Sequence, residues 1–251
     1  MSPRLLILGG TAEASALAGL VAAKGWDAVL SYAGRTTAPR AQPVPMRVGG
    51  FGGIEGLVGY LAAEKITHLI DATHPFAARM SANAVAAAAA HGVALAALER
   101  PAWGRAPGDH WVEVPDMAGA VAALSGPARR ALLAIGRQEI GAFASQPQHH
   151  YLLRLVDPPE APPPLPQHSV VVARGPFDVA GDGALMRAHG IECVVAKNAG
   201  GAGARAKLEA ARSLGLPVIM VARPAVPDRR VFTTPDAVVD WVAHAGTALG
   251  V

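Results

Sequence analysis

Short apolar runs, each closed by glycine or a polar turn, alternate along the whole chain with small-residue stretches at helical spacing. The first, Leu5-Leu6-Ile7-Leu8, is too short for a helix and runs into Gly9-Gly10-Thr11, which predicts a buried parallel strand. Ala12 to Ala23 carries Leu17, Leu20 and Val21 on one helical face, so a helix is expected there. Further strands are expected at Asp27–Tyr32, Val44–Val48, His68–Asp71 and Val93–Leu98, with helices through Leu57, Tyr60 and Leu61 and from Ala77 to His91. A second series starts at Trp111-Val112-Glu113-Val114. It predicts strands near Ala131–Ile135, Tyr151–Val156, Val170–Ala173, Cys193–Ala196 and Val218–Val221. Helices Met117–Leu124, Val179–His189, Ala204–Leu214 and Pro235–His244 are expected among and after them. Asp157 to Pro166 holds six prolines and cannot be regular structure.

This alternation predicts an α/β protein of two Rossmann-like halves. Each half is a mostly parallel sheet flanked by helices, with a cleft between them. The boundary falls near Arg100–Gly108, giving an N-terminal domain over 1–100 and a C-terminal domain over 101–251. The Gly9-Gly10-Thr11-Ala12-Glu13 turn departs from the G-x-G-x-x-G fingerprint: Thr11 stands in the second glycine's place and Ala14 in the third's. A strand–glycine–helix turn still lets backbone N–H groups face an anion. It therefore predicts a pyrophosphate cradle formed by Gly9, Gly10, Thr11, Ala12 and Glu13, with the Thr11 hydroxyl as a further donor to phosphate. A tight βα turn that binds nothing is the alternative reading.

The end of the second strand would meet an adenosine ribose, and an acidic residue there selects NAD. Here it reads Ser31-Tyr32-Ala33-Gly34-Arg35, with no carboxylate. Ser31, Gly34 and Arg35 are thus expected around a 2′-phosphate, and the cofactor expected is NADPH. After the fourth strand, Asp71-Ala72-Thr73-His74-Pro75-Phe76 lies where doubly wound sheets bind ligands. Thr73 is expected to cap the next helix, and Thr73 and His74 to approach the cofactor; His74 is also the candidate for moving a proton.

Composition narrows the classes. The 22 basic residues, of which eighteen are arginine, exceed the 19 acidic ones only slightly. No basic run with interleaved aromatics appears, so no nucleic-acid partner is expected. No stretch is long and apolar enough to span a membrane. Cys193 is the only cysteine and the N-terminus leads straight into a core strand, so a cytoplasmic protein without disulfides is expected. There is no zinc spacing, G-x-S-x-G elbow or Walker lysine, so a cofactor must carry the hard chemistry. In the second half Arg137, Arg174 and Arg223 stand at strand ends, and Lys197-Asn198-Ala199-Gly200-Gly201 is a second glycine-rich turn. Arginine forks suit carboxylates and phosphates, so a polyanionic substrate is expected on Arg137, Arg174, Lys197, Asn198, Gly200, Gly201 and Arg223.

Five segments in this order resemble the precorrin-6A reductase family of cobalamin biosynthesis. They are Gly9–Glu13, Asp71–Ala77, Glu99-Arg100-Pro101-Ala102-Trp103, Arg174-Gly175-Pro176-Phe177 and Lys197–Gly201. The resemblance spans nearly the whole chain and implies NADPH-dependent reduction of one ring double bond in precorrin-6A, giving precorrin-6B. It also implies a metal-free tetrapyrrole substrate rich in carboxylates, which suits the arginines. Ala199 stands where the family has serine, which leaves no hydroxyl at that place. A cobalt-precorrin-6A reductase, another NAD(P)H reductase on the same scaffold, and a non-catalytic two-domain anion-binding protein are the alternatives. Oligomeric state is not legible in the residues.

Overall fold

The computed structural model describes residues 2–34 and 41–245. Two compact units divide the chain: Met1–Pro101 together with Ala225–Val251, and Ala102–Pro224. The first unit holds β1 (Arg4–Leu8), α1 (Ala12–Ala23), β2 (Asp27–Tyr32), β3 (Met46–Val48), α2 (Ile54–Ala63), β4 (His68–Asp71), α3 (Ala78–His91) and β5 (Ala94–Leu98). The second holds β6 (Trp111–Val114), α4 (Met117–Ala123), β7 (Arg130–Ala134), a 3-10 segment Arg137–Ser145, β8 (His150–Leu155), β9 (His168–Val172), α5 (Val179–Ala188), β10 (Cys193–Lys197), α6 (Ala206–Ser213) and β11 (Val218–Val221). The chain then returns to the first unit as β12 (Val231–Phe232) and α7 (Pro235–Ala245).

Each unit is built on a six-stranded sheet, ordered β12-β5-β4-β1-β2-β3 and β6-β11-β10-β7-β8-β9. Every strand pair is parallel, which explains why the strands read as continuous apolar runs: both faces of each sheet are covered. In the first unit, Leu5 and Ile7 face a core with Leu17, Ala18 and Val21 of α1, while Leu6 and Leu8 face Leu57 and Leu61 of α2 and Ala84 and Ala87 of α3. In the second, Leu132, Leu152, Val194 and Val218 meet Met186 of α5 and Leu208 of α6.

The C-terminal segment, expected in the second domain, belongs instead to the first unit, as Ala225–Val251 beside Met1–Pro101. Val231 and Phe232 pair with Ala97 and Leu98, extending the first sheet. Val238, Val239 and Val242 of α7 are buried in the same core as α1. Burying three valines at about 1.5 kcal/mol or more each contributes roughly 4–5 kcal/mol. That is a large share of a domain's typical margin of about 5–15 kcal/mol. The tail therefore belongs to the first unit energetically as well as topologically. β12 is two residues long, too short for periodicity to single out.

Candidate functional site

In the first sheet the chain leaves β1 toward β2 and β3 but leaves β4 toward β5 and β12, so the order reverses between β1 and β4. Ligands of doubly wound sheets bind at the carboxyl ends of such a pair. Gly9 sits there with its N–H donating to the Ser31 carbonyl at 2.8 Å. A Cβ on Gly9 would lie 2.7 Å from Cδ1 of the fully buried Leu30. Gly10 has φ +118 and nothing within 4 Å of where a Cβ would stand, so its face of the turn is open. The open face and the first-turn N–H groups of α1 fit a pyrophosphate.

Thr11 is the N-cap of α1: its Oγ1 accepts from the Ala14 N–H at 3.1 Å. The same hydroxyl donates to the Ala72 carbonyl at 2.8 Å. Its only proton is committed, so Thr11 does not donate to phosphate as expected from the sequence. Its work is to tie the β1 turn to the β4 turn. Glu13, in the first turn of α1, is held by Arg100 at 2.8 Å, with side chains 23% and 17% exposed. Glu13 therefore offers a backbone N–H, with its carboxylate engaged elsewhere in the same unit.

At the end of β4 the Thr73 hydroxyl donates to Asp71 Oδ1 at 2.7 Å, and the Thr73 N–H reaches the same oxygen at 3.2 Å. Thr73 thus does not cap α3, which starts at Ala78 with Ala77 as an N-cap that makes no side-chain bond. The short loop between strand and helix left room for a turn closed by Asp71 instead. His74 Nδ1 accepts from the Phe76 N–H at 3.2 Å. With Nδ1 as acceptor, the ring proton resides on Nε2. Asp71 faces Arg229 of the returning tail, Nε to Oδ2 3.8 Å, and Arg229 also donates to Glu99 at 2.8 Å. These side chains are almost wholly buried for Asp71 and Arg229, at 2% and 9% exposed.

Ser31 is buried at the end of β2, directly opposite Arg47 of β3 in the sheet register. Arg47 donates to Ser31 Oγ at 2.9 Å, to the Gly49 carbonyl at 2.9 Å and to the Gly50 carbonyl at 3.1 Å. Its guanidinium lies 3.9 Å from the Phe51 ring centre, and Phe51 packs edge-on against Tyr60. Burial and the nearby Glu64 raise the Tyr60 pKa, with Arg47 opposing them. The four-glycine loop after β3 is therefore anchored on Arg47. Gly34 has φ +74. Arg35 lies outside the described residues.

The second sheet reverses its order between β7 and β10. Lys197 at the end of β10 pairs with Glu139, in the 3-10 segment that follows β7. Arg137 opens that segment and is exposed. Asn198 uses its whole amide on Trp103: Oδ1 accepts from the Trp103 N–H at 2.7 Å and Nδ2 donates to its carbonyl at 3.0 Å. The Trp103 indole N–H donates to the Gly201 carbonyl at 2.7 Å. Arg223, after β11, donates to the carbonyls of Asn198 and Ala199 at 3.0 and 3.1 Å. Gly200 and Gly201 have φ +71 and +74, the left-handed turn that glycine permits. Thus Arg223, Lys197 and Arg137 stand at three adjacent strand ends. Arg174, after β9, is two strands further than Arg137, about 10 Å, and is paired with Asp157 at 3.4 Å. The expected wall is a cluster of three with one outlier. Asn198 and Arg223 build the turn's shape through these bonds.

Among the described residues no group of three or more His, Cys, Asp or Glu is arranged to hold a metal ion, and no helix is long and apolar enough to cross a membrane. A dinucleotide-type sheet with an open glycine turn in one unit, and a parallel sheet with basic strand ends in the other, define the class: a Rossmann-type α/β protein of two units. The family model described as precorrin-6x reductase CbiJ/CobK matches residues 4–243, and the chain belongs to that family. It is 62% identical over 249 residues to a precorrin-6A reductase of Rhodobacter capsulatus, covering 99% of both chains. A precorrin-6A reductase of Sinorhizobium is 49% identical, with 96% of this chain and 93% of the relative covered. A cobalt-precorrin-6A reductase of Priestia megaterium is 28% identical, with 94% and 96% covered. A solved structure described as CobK precorrin-6A reductase superposes with a TM-score of 0.94 at 62% identity, over 97% of each chain.

Proposed function

We propose that this protein reduces one double bond of precorrin-6A with NADPH to give precorrin-6B. The observation that carries this reading is the 62% identity to a precorrin-6A reductase over nearly the full length, against 28% to a cobalt-precorrin-6A reductase. That contrast favours the metal-free macrocycle over the cobalt-loaded one.

In this reading Gly9, Gly10 and the N–H groups of Thr11, Ala12 and Glu13 hold the pyrophosphate, and Ser31, Gly34 and Arg35 surround the 2′-phosphate. Thr73 and His74 border the nicotinamide side. The macrocycle's carboxylates are met by Arg137, Lys197 and Arg174, on a turn shaped by Asn198, Gly200, Gly201 and Arg223. The bound nicotinamide supplies the hydride; the protein orients the substrate and stabilises charge. Donation of Nε2–H from this singly protonated ring would leave an imidazolate, so the proton for the neighbouring carbon is proposed to come from solvent, which His74 Nε2–H orients as a hydrogen-bond donor. Thr73 presents oxygen lone pairs, because Asp71 takes its proton.

The test is spectral. Purified protein is incubated with precorrin-6A or cobalt-precorrin-6A and with NADPH or NADH, and the macrocycle absorbance is followed. Turnover of the metal-free substrate with NADPH is expected. Turnover only of the cobalt form, or equal rates with NADH, would overturn the substrate or the cofactor assignment respectively.

A further inference from the structure

Arg47 differs from the other half-buried arginines of the first unit in what it touches. Arg100 is paired with Glu13, Arg229 with Asp71 and Glu99, and Arg4 with Asp27 and Glu64. The partners of Arg47 are a serine hydroxyl, two backbone carbonyls and two aromatic rings. Neutral acceptors orient a guanidinium without cancelling its charge. Three of its five N–H groups are used in this way, leaving one on Nη2 and the one on Nε for another acceptor.

Its place gives that charge a use. Ser31, its opposite in the sheet register, accepts through its carbonyl from the N–H of Gly9 in the glycine turn. One side chain therefore lies a single residue from the turn, at the strand end where an adenosine ribose meets a dinucleotide-binding sheet. Phe51 stacks on the guanidinium and the Gly49 and Gly50 carbonyls fix its azimuth, so the fork is preorganised.

We propose that Arg47 is a specificity-determining residue, the cation that selects a 2′-phosphorylated adenosine over an unphosphorylated one. This rests on the dinucleotide reading of the first unit and adds to it a residue from β3, beyond the Ser31–Arg35 strand end. Phosphate is the natural occupant of the two remaining N–H groups, and a free ribose hydroxyl gains much less from the charge.

Isothermal titration with NADP+ and with NAD+, which needs no turnover, tests it on the wild type, R47M and R47K. The wild type is expected to prefer NADP+. R47M keeps the stem on Phe51 but loses the charge. It should lose about 10- to 100-fold in NADP+ affinity and less than about 3-fold in NAD+ affinity. R47K should recover part of the NADP+ affinity, and its melting temperature reports whether the Gly49–Gly53 loop has kept its fold. Equal losses for both nucleotides would mean that Arg47 only braces the loop and would overturn the proposal, as would an unchanged preference in R47M. A wild type that binds neither nucleotide would overturn the dinucleotide reading itself, and the assignment with it; retained NADP+ preference in R47M overturns the assignment alone.

Discussion

The hydroxyl of Thr11 donates to the carbonyl of Ala72 across 2.8 Å, joining the turns that follow β1 and β4. The same oxygen accepts from Ala14 and starts α1. One small side chain thus sets both the helix that would face the pyrophosphate and the loop that carries Thr73 and His74. Thr11→Val removes both bonds at nearly constant volume. It is expected to cost about 1 kcal/mol in stability, the usual value of an N-cap. Nucleotide affinity should fall by more than that figure alone implies, because the cradle loses its alignment. Urea unfolding and NADP+ titration measure the two effects, and T11S should restore both.

Arg229 and Asp71 form a buried pair of opposite charges, completed by Glu99. Arg229→Met leaves the Asp71 carboxylate without its counter-charge, and such a loss typically costs about 3–5 kcal/mol. The double variant D71N/R229M removes the stranded charge and should regain much of it. Equilibrium unfolding of D71N, R229M and D71N/R229M gives the coupling, and simple additivity would show that the pair contributes nothing.

His68 is buried in the first unit against Trp241, with ring centres 5.4 Å apart, and burial lowers its pKa from 6.5. The unfolded chain then takes up the proton more readily than the folded one. Stability from this group is complete above about pH 6.5 and declines as pH falls through that value toward the lower folded pKa. His68→Gln should flatten the dependence of unfolding free energy on pH below about 6.5. An unchanged slope would assign it to other groups, such as His150, whose pKa burial also lowers.

Cys193 is 1% exposed and burial pushes its thiol up to about 11. Alkylation needs the thiolate and access to it. The folded protein is therefore expected to resist a thiol reagent at pH 8, reacting at the rate of unfolding, while denatured protein reacts at once. Stoichiometric labelling of the native protein within minutes would contradict this.

Most strands and helices are legible because each buried strand is a contiguous apolar run and each helix shows spacing, as Leu17 and Val21 do. The glycine turn and the Lys197–Gly201 turn are legible for the same local reason. What escaped depends on contacts between residues distant in sequence. The Thr11 hydroxyl looked available until its acceptor, Ala72, 61 residues away, is seen to take the proton. Asn198 looked like a ligand contact, but its amide is consumed by Trp103, 95 residues away. Arg47 carried no motif; only its register opposite Ser31 gives it a place. The second domain's assumed C-terminus failed because β12 is a two-residue strand whose partner is β5.

That returning tail has a consequence for biosynthesis. The second unit is one uninterrupted stretch, Ala102–Pro224, whereas the first needs residues from both chain ends. As the polypeptide leaves the ribosome, the earlier-made β5 edge and the seat for α7 stay uncovered until β12 and α7 have been made. The part made first is finished last, and a nascent chain halted before Val231 would present an open sheet edge to whatever strand or chaperone reaches it.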